Sequence, residues 1–284
     1  MSFCSRAALA AHAPAAGTGV RAEAYVFLPV PKRLWRENEL NDGWASPDEI
    51  ATIRTARARN VVTRLYNPPR NAETGPILVY AASDPVRSET VEPLLAHFAG
   101  RWPVDATGKP RLAVCTHGTR DRCCAKFGFA VYGRARALYE AGTSPFEPIE
   151  CSHLGGDRFA ATGIVFPSGS MYAHLDATDL SALFAAESAG EIAPVHYRGR
   201  VFEGSLTQVV RAGLAREGLY NHATAPIVVA PAHDGDVRVS AGGAAYLVSL
   251  QVTETGFFPS CERMAAGRAS KARQTVYAGA RPLD

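Results

Sequence analysis

The stretch RLAVCTHGTRDRCCAKFG, residues 111–128, joins a predicted strand to a predicted helix through a loop rich in cysteine. The apolar run at its start predicts the strand, and the helix is predicted to continue to Gly142. The chain has only six cysteines, and three of them, Cys115, Cys123 and Cys124, lie within this loop. Such a cluster indicates a metal site, a redox dithiol or a helix start that is rich in cysteine.

Cys115 and Cys124 have eight residues between them, the first at the end of the strand and the second at the start of the helix. We expect both side chains to point into one loop. A helix N-terminus and the nearby Arg120 and Arg122 favour thiolate over thiol, which is the form that binds metal. Cys123 is expected to face the other way, because adjacent side chains cannot both reach one centre without strain.

A second polar stretch, ECSHLGGDRFAATG at residues 150–163, follows another predicted strand. It offers three candidate ligands and two glycines that let the backbone approach another group closely: Cys151, His153, Asp157, Gly155 and Gly156. Alone, this pattern is more typical of a structural histidine and a surface pair of Asp157 with Arg158 than of a functional site. Sulfur from one loop and nitrogen or oxygen from a second loop together suit a soft metal centre such as zinc or iron-sulfur.

The elements before this region alternate between strands and helices. Residues 24–30 and 76–82 are short apolar runs that predict strands. Ser46 is a predicted N-cap, with Pro47 at the first helical position and Glu49 completing a capping box. A second helix is predicted from Ser88, so the order is β-α-β-α.

Residues 111–190 predict the order βα-β-ββα, which is the arrangement of a thioredoxin-like half. Its last two strands form a hairpin over residues 163–175. An amphipathic helix at 206–218 and three short strands after it predict a small C-terminal unit. The basic tail from Pro259 is expected to be a solvated, poorly ordered terminus with a lone Cys261.

The predicted fold class is therefore α/β: a thioredoxin-like mixed sheet flanked by helices, with an N-terminal α/β portion and a small C-terminal β-rich unit. We place the N-terminal portion at residues 1–105, the thioredoxin-like domain at 106–200, and the C-terminal α+β unit with its basic tail at 201–284.

Composition excludes several classes of protein. The chain has 284 residues, of which 47% are hydrophobic and 20% charged, and no stretch approaches the roughly 20 apolar residues that span a bilayer. The net charge of +3 is spread along the chain, so neither nucleic acid nor a membrane is an expected partner. Six irregularly spaced cysteines and the absence of a signal-peptide pattern lead us to expect a soluble, cytoplasmic protein.

CTHGTRDRCCAKFG, followed by SHLGGDRFAATGIVFP, resembles the sucrase/ferredoxin-like family, whose members are similar to thioredoxin-fold 2Fe-2S ferredoxins. The resemblance covers residues 4 to about 200. It implies a 2Fe-2S cluster held by two cysteines, matched here by Cys115 and Cys124, and by two histidines in an H-x-x-x-H pattern. His153 matches the first histidine, whereas Asp157 stands in place of the second. The candidates for the fourth ligand are Asp157, then Cys151, then Cys123.

The resemblance implies an electron carrier, rather than an enzyme with its own substrate, that works with an unidentified redox partner protein. Arg120, Arg122 and Arg158 flank the two loops and would steer an acidic partner or offset cluster charge, unless they are simply solvated. Together with Gly155 and Gly156 they are the predicted cofactor-binding residues.

Three alternatives remain at this point. A thiol-disulfide protein would use Cys123 and Cys124, and a structural zinc site would use the same ligands as the cluster. A sucrose-hydrolysing enzyme would need two carboxylates roughly 5 to 10 Å apart, and no paired acidic motif on the predicted strand ends supplies them.

Overall fold

A computed structural model describes residues 2–69, 74–83 and 88–283 of the chain. Within these residues the strands form a nine-stranded mixed sheet, in the order β4-β3-β1-β2-β6-β5-β7-β8-β9, and a four-stranded antiparallel sheet, in the order β10-β11-β12-β13. The strands of the large sheet are β1 Ala24–Pro29, β2 Val61–Tyr66, β3 Ile77–Ala81, β4 Val104–Asp105, β5 Arg111–Cys115, β6 Glu147–Cys151, β7 Gly163–Phe166, β8 Ser170–Tyr172 and β9 Tyr197–Arg200. Those of the small sheet are β10 Ile227–Pro231, β11 Val237–Ala241, β12 Ala244–Phe257 and β13 Ser270–Leu283.

The helices pack against the large sheet or connect strands of either sheet. They are α1 Cys4–Ala10, α2 Pro47–Ala58, α3 Glu92–Phe98, α4 Phe129–Glu140, α5 Leu180–Ser188, α6 Ser205–Arg216 and α7 Cys261–Ala265. A π-helical turn, Cys124–Gly128, leads directly into α4. The predicted α/β class, with a large mixed sheet and a separate small sheet, is confirmed.

The N-terminal elements follow from local chemistry. The capping box before α2 is present: the Ser46 Oγ accepts from the Glu49 amide, and the Glu49 carboxylate accepts from the Ser46 amide at 2.7 Å. Every residue of β1 is buried, because β1 is an inner strand whose alternating side chains enter apolar clusters on both faces of the sheet. Strand β2, which was not predicted from the sequence, pairs in parallel with β1.

The segment from β5 to α5 has the predicted order βα-β-ββα. In the sheet, β5 pairs in parallel with β6 and antiparallel with β7, and β7 and β8 form the predicted hairpin. The order of these four strands in the sheet is β6-β5-β7-β8. A bridge between Tyr66 and Cys151 joins β2 to β6, so the sheet is continuous from the N-terminal portion. The domain boundaries near residues 105 and 200 stay a prediction.

The expectation that the C-terminal tail is a poorly ordered terminus is wrong. The 14-residue strand β13 pairs with the equally long β12, and this pairing satisfies backbone groups without needing an apolar run. The ring of Tyr277 packs on α6 at Gly213, where a Cβ would lie 2.1 Å from the ring. Cys261 is buried, with 3% of its surface exposed.

All six cysteines lie in one apolar cluster on a single face of the large sheet, together with the aromatic rings of Tyr25, Phe27 and Phe166. The opposite face packs against α2 and α3 near the N-terminus and against α4 and α5 further along the chain. Among the described residues, no helix is long and apolar enough to cross a membrane.

Candidate metal centre

The first cysteine loop is held against the end of β5 by a close backbone contact. Cys115 is the last residue of β5, and Gly128 ends the π-helical turn that begins at Cys124. A Cβ on Gly128 would lie 2.0 Å from the Cys115 carbonyl oxygen. Only glycine permits this approach, which brings the start of the turn beside the strand end. Cys115 and Cys124 are both buried.

The second loop supplies the other two predicted ligands to the same place. The Nδ1 atom of His153 lies 3.0 Å from Oδ1 of Asp157, and the Cys124 Sγ lies 3.6 Å from the same oxygen. Cys115 shares hydrogen bonds with Cys124 and His153. We call these four side chains, Cys115, Cys124, His153 and Asp157, the loop group.

Hydrogen bonds and charges within the loop group shift the pKa values of its members. Hydrogen bonds from Cys124 and His153 lower the pKa of Cys115 well below its ordinary value, although burial opposes this. Burial would lower the pKa of His153, but Asp157 and Cys115 outweigh it and raise that pKa to about 9. The group therefore gathers two sulfurs, an imidazole and a carboxylate, one of the sulfurs already favouring the thiolate. This donor set fits zinc or an iron-sulfur cluster.

Solvent reaches the loop group mainly from the side of His153. Its side chain is 23% exposed, whereas the Asp157 side chain is 6% exposed. The remaining two members, Cys115 and Cys124, are more deeply buried. A group bound here would be largely shielded from water.

The second loop is shaped by Arg198, which the sequence analysis did not identify. This buried arginine donates to the carbonyl oxygens of Gly155 at 2.9 Å and Thr18 at 2.7 Å. Gly155 and Gly156 have φ values of +91° and +76°, and a Cβ on Gly156 would lie 3.0 Å from the Arg198 Nη2. The close approach expected at the two glycines is thus explained by Arg198.

The three candidates for a fourth ligand occupy different surroundings. Asp157 contacts both His153 and Cys124. Cys151 is fully buried opposite Cys115 in the sheet, and burial raises its pKa well above the ordinary value. Cys123 faces away from the loop group, as expected. The geometry favours Asp157.

The three predicted arginines are also separated. Arg120 lies beside the loop group, with its Nε 4.0 Å from Oδ2 of Asp157. Arg122 instead donates to the Ser2 carbonyl oxygen at 3.0 Å. Arg158 lies over the ring of Phe257 at 3.9 Å from its centroid.

His117 is a site residue that the sequence analysis missed, although it lies in the quoted motif. Its backbone amide hydrogen-bonds to the Cys115 sulfur. Its buried ring contacts the Arg36 carbonyl oxygen through Nε2 at 2.8 Å and meets Trp35 edge to face. These ring contacts hold His117 in place, so its backbone amide stays directed at the Cys115 sulfur.

A second group of potential ligands lies apart from the first, and the sequence analysis did not predict it. The ligand atoms of four buried residues all lie within 4.8 Å of one another: Cys4, Asp121, Cys123 and Cys261. We call these four residues the terminal group, because Cys4 and Cys261 come from near the two ends of the chain. A hydrogen bond from Cys4 is the main cause that lowers the pKa of Cys123, to about 6.

Comparison with known proteins identifies one family. A family model described as sucrase/ferredoxin-like matches residues 16–199, which is more than half of the chain. No curated protein and no solved structure matches the chain.

Proposed function

Since this chain belongs to the sucrase/ferredoxin-like family, we propose that it carries one 2Fe-2S cluster on the loop group and transfers electrons. The observation that carries the proposal is the convergence of the four predicted ligands from two loops that are distant in the chain. Cys115 and Cys124 come from the first loop, and His153 and Asp157 come from the second. A bound cluster would supply a one-electron step.

The chain provides what such a centre needs from a protein. Burial of the two cysteines excludes water, and the His117 amide directs a hydrogen bond at the Cys115 sulfur. Both features adjust the electronic environment of sulfur ligands. A carboxylate in place of a second histidine leaves the ligand set more negative, so we expect a reduction potential between those of Rieske and plant-type centres.

The half-exposed Arg120 gives the site a positive charge at its rim, with its guanidinium near Asp157 and Glu37. A positive rim attracts acidic partners and raises their association rate. We therefore propose an acidic redox protein as the partner, in the cytoplasm.

A zinc ion on the loop group is the second candidate. The 3.6 Å between the Cys124 Sγ and the Asp157 Oδ1 is compatible with two ligands of one tetrahedral ion. The alternative of a redox dithiol of Cys123 and Cys124 receives no support, because Cys124 belongs to the loop group and Cys123 to the terminal group.

Anaerobic purification followed by an absorption spectrum with iron and acid-labile sulfide counts tests the proposal. We expect red-brown protein with about two irons and two sulfides per chain. Both should be lost in Cys115→Ser and Cys124→Ser and kept in Cys151→Ala, which changes a buried cysteine outside the proposed ligand set. Colourless protein whose zinc disappears in Cys115→Ser would instead establish the second candidate.

A further inference from the structure

Three cysteines that the proposed cluster does not use form a compact triangle. The Sγ atoms of Cys4 and Cys123 are 3.6 Å apart, those of Cys4 and Cys261 are 3.7 Å apart, and those of Cys123 and Cys261 are 3.1 Å apart. All three cysteines are free. The sulfurs belong to residues as far as 257 positions apart in the chain, so their meeting is a product of the fold.

These distances suit one tetrahedral metal ion. Zinc binds thiolate at about 2.3 Å, so two sulfurs on one zinc ion are about 3.8 Å apart. Two of the three sides of the triangle are within about 0.2 Å of that value, and the third, at 3.1 Å, would need to widen by about 0.7 Å.

The fourth ligand position is filled by Asp121. Its Oδ1 accepts from the Cys123 amide and its Oδ2 from the Cys261 amide, each at 2.7 Å. These bonds fix the carboxylate between two of the cysteines, and each oxygen keeps a lone pair that can bind a cation. A carboxylate oxygen is an ordinary zinc ligand beside sulfur.

Two side chains outside the terminal group lie close to its sulfurs in a way that suits an anionic thiolate site. The Ser5 hydroxyl donates to the Cys123 sulfur at 3.3 Å. Arg122, whose guanidinium donates to the Ser2 carbonyl oxygen, lies near the charges of Cys261, Asp121 and Cys123. Such second contacts orient metal ligands and offset their negative charge.

We propose that the terminal group is a structural zinc site, in which three thiolates and the Asp121 carboxylate bind one Zn²⁺. The ion fastens the first residue of α1 and the first residue of α7 to the loop that leads into Cys124. Cys4 and Cys261 lie outside the matched residues 16–199, so the family match does not itself indicate this site. The proposal rests on residues other than those of the loop group and stands independently of the cluster.

Metal analysis of the full chain tests this site separately from the loop group. Zinc and iron are counted in anaerobically purified wild type and in Cys4→Ser, Cys261→Ser and the control Cys151→Ala. We expect about one zinc per chain in the wild type and the control. The zinc should be lost in Cys4→Ser and Cys261→Ser, while the iron count is retained.

Zinc X-ray absorption on the wild type keeps the test decisive even where a variant fails to fold. We expect three sulfur neighbours at about 2.3 Å and one oxygen at about 2.0 to 2.2 Å. Zinc with two sulfurs and an imidazole, removed by Cys115→Ser, would place the ion on the loop group and overturn the proposal. The proposal is also overturned if the wild type takes up no zinc in anaerobic reconstitution. A Cys123–Cys261 disulfide in anaerobically prepared protein would overturn it as well.

Discussion

Cys123 and Cys124 are adjacent in the chain, yet their sulfurs belong to separate ligand groups. The Cys123 Sγ lies 3.1 Å from that of Cys261, and the Cys124 Sγ lies 3.6 Å from Oδ1 of Asp157. The loop group and the terminal group are therefore joined by one peptide bond. A change that displaces one cysteine will move the backbone of the other.

Replacing Asp157 tests the fourth ligand of the proposed cluster. We expect Asp157→Ala to lose most of the bound iron, because the carboxylate that contacts His153 and Cys124 is removed. Asp157→His should keep the iron. Its reduction potential should rise by on the order of 100 mV, since a neutral imidazole replaces an anion. Iron counts and a redox titration measure both effects.

The matched control for that experiment is Cys151→Ala. Cys151 is the second candidate for the fourth ligand and is equally buried. Full iron content in Asp157→Ala combined with loss of iron in Cys151→Ala would assign the fourth position to Cys151.

The contact between Gly128 and Cys115 predicts a large cost for any side chain at position 128. A Cβ there would lie 2.0 Å from the Cys115 carbonyl oxygen, so the turn must move away from the strand. We expect Gly128→Ala to lower the free energy of unfolding by about 3 kcal/mol or more. Urea denaturation measures the change, and the iron content should fall with it.

Gly133→Ala is the control, because Gly133 lies in α4 and a Cβ added there would meet no described atom within 4 Å outside its own helical turn. Alanine is favoured over glycine in a helix interior, so this variant should be more stable by about 0.5 to 1 kcal/mol. Equal stability of the two variants would contradict the close contact at Gly128.

Glu39 holds the second loop to the N-terminal portion. Its carboxylate pairs with Arg57 at 2.6 Å and Arg64 at 3.1 Å and accepts a hydrogen bond from Ser152. We expect Glu39→Gln to lower the free energy of unfolding by about 3 kcal/mol, because it leaves the two guanidinium groups without their partner. Glu37→Gln, at an exposed carboxylate two residues away, should change it by less than about 1 kcal/mol.

The same carboxylate predicts a pH dependence. Burial opposes ionisation of Glu39, but Arg64 and Arg57 outweigh it and hold its pKa below the ordinary value of 4.5. The stabilisation is therefore present above about pH 4.5 and is lost as the pH falls through the folded-state pKa. The unfolding free energy of the wild type should fall more steeply on acidification than that of Glu39→Gln. Parallel curves would contradict this assignment.

The positive charge of Arg120 is expected to affect the rate of electron transfer from the site to charged oxidants. We expect Arg120→Gln to slow oxidation of the reduced protein by anionic hexacyanoferrate(III) by about 2- to 5-fold at low salt. Oxidation by cationic tris(phenanthroline)cobalt(III) should not slow, and stopped-flow absorbance measures both rates. Arg136→Gln, which removes an exposed arginine paired with Glu140 on α4, is the control. An equal effect in the control would show a response to net charge alone.

Local elements were predictable from the sequence because they depend on neighbouring residues. The Ser46–Glu49 capping box, the β7–β8 hairpin and the opposite orientations of Cys123 and Cys124 follow from spacing and backbone geometry. The gathering of Cys115 with His153 was expected, since Cys115 ends one strand and His153 follows another, and the two strands lie side by side.

Only the tertiary structure decided which residues that are distant in the sequence come into contact. No local pattern indicates that Cys261, in a basic tail, meets Cys4 across the whole chain, or that buried Arg198 explains the two loop glycines. A ligand set is local in sequence only where its residues share a loop. Sets assembled from the two termini depend on the burial and strand pairing of the entire fold, here the pairing of β12 with β13, whose connection carries Cys261.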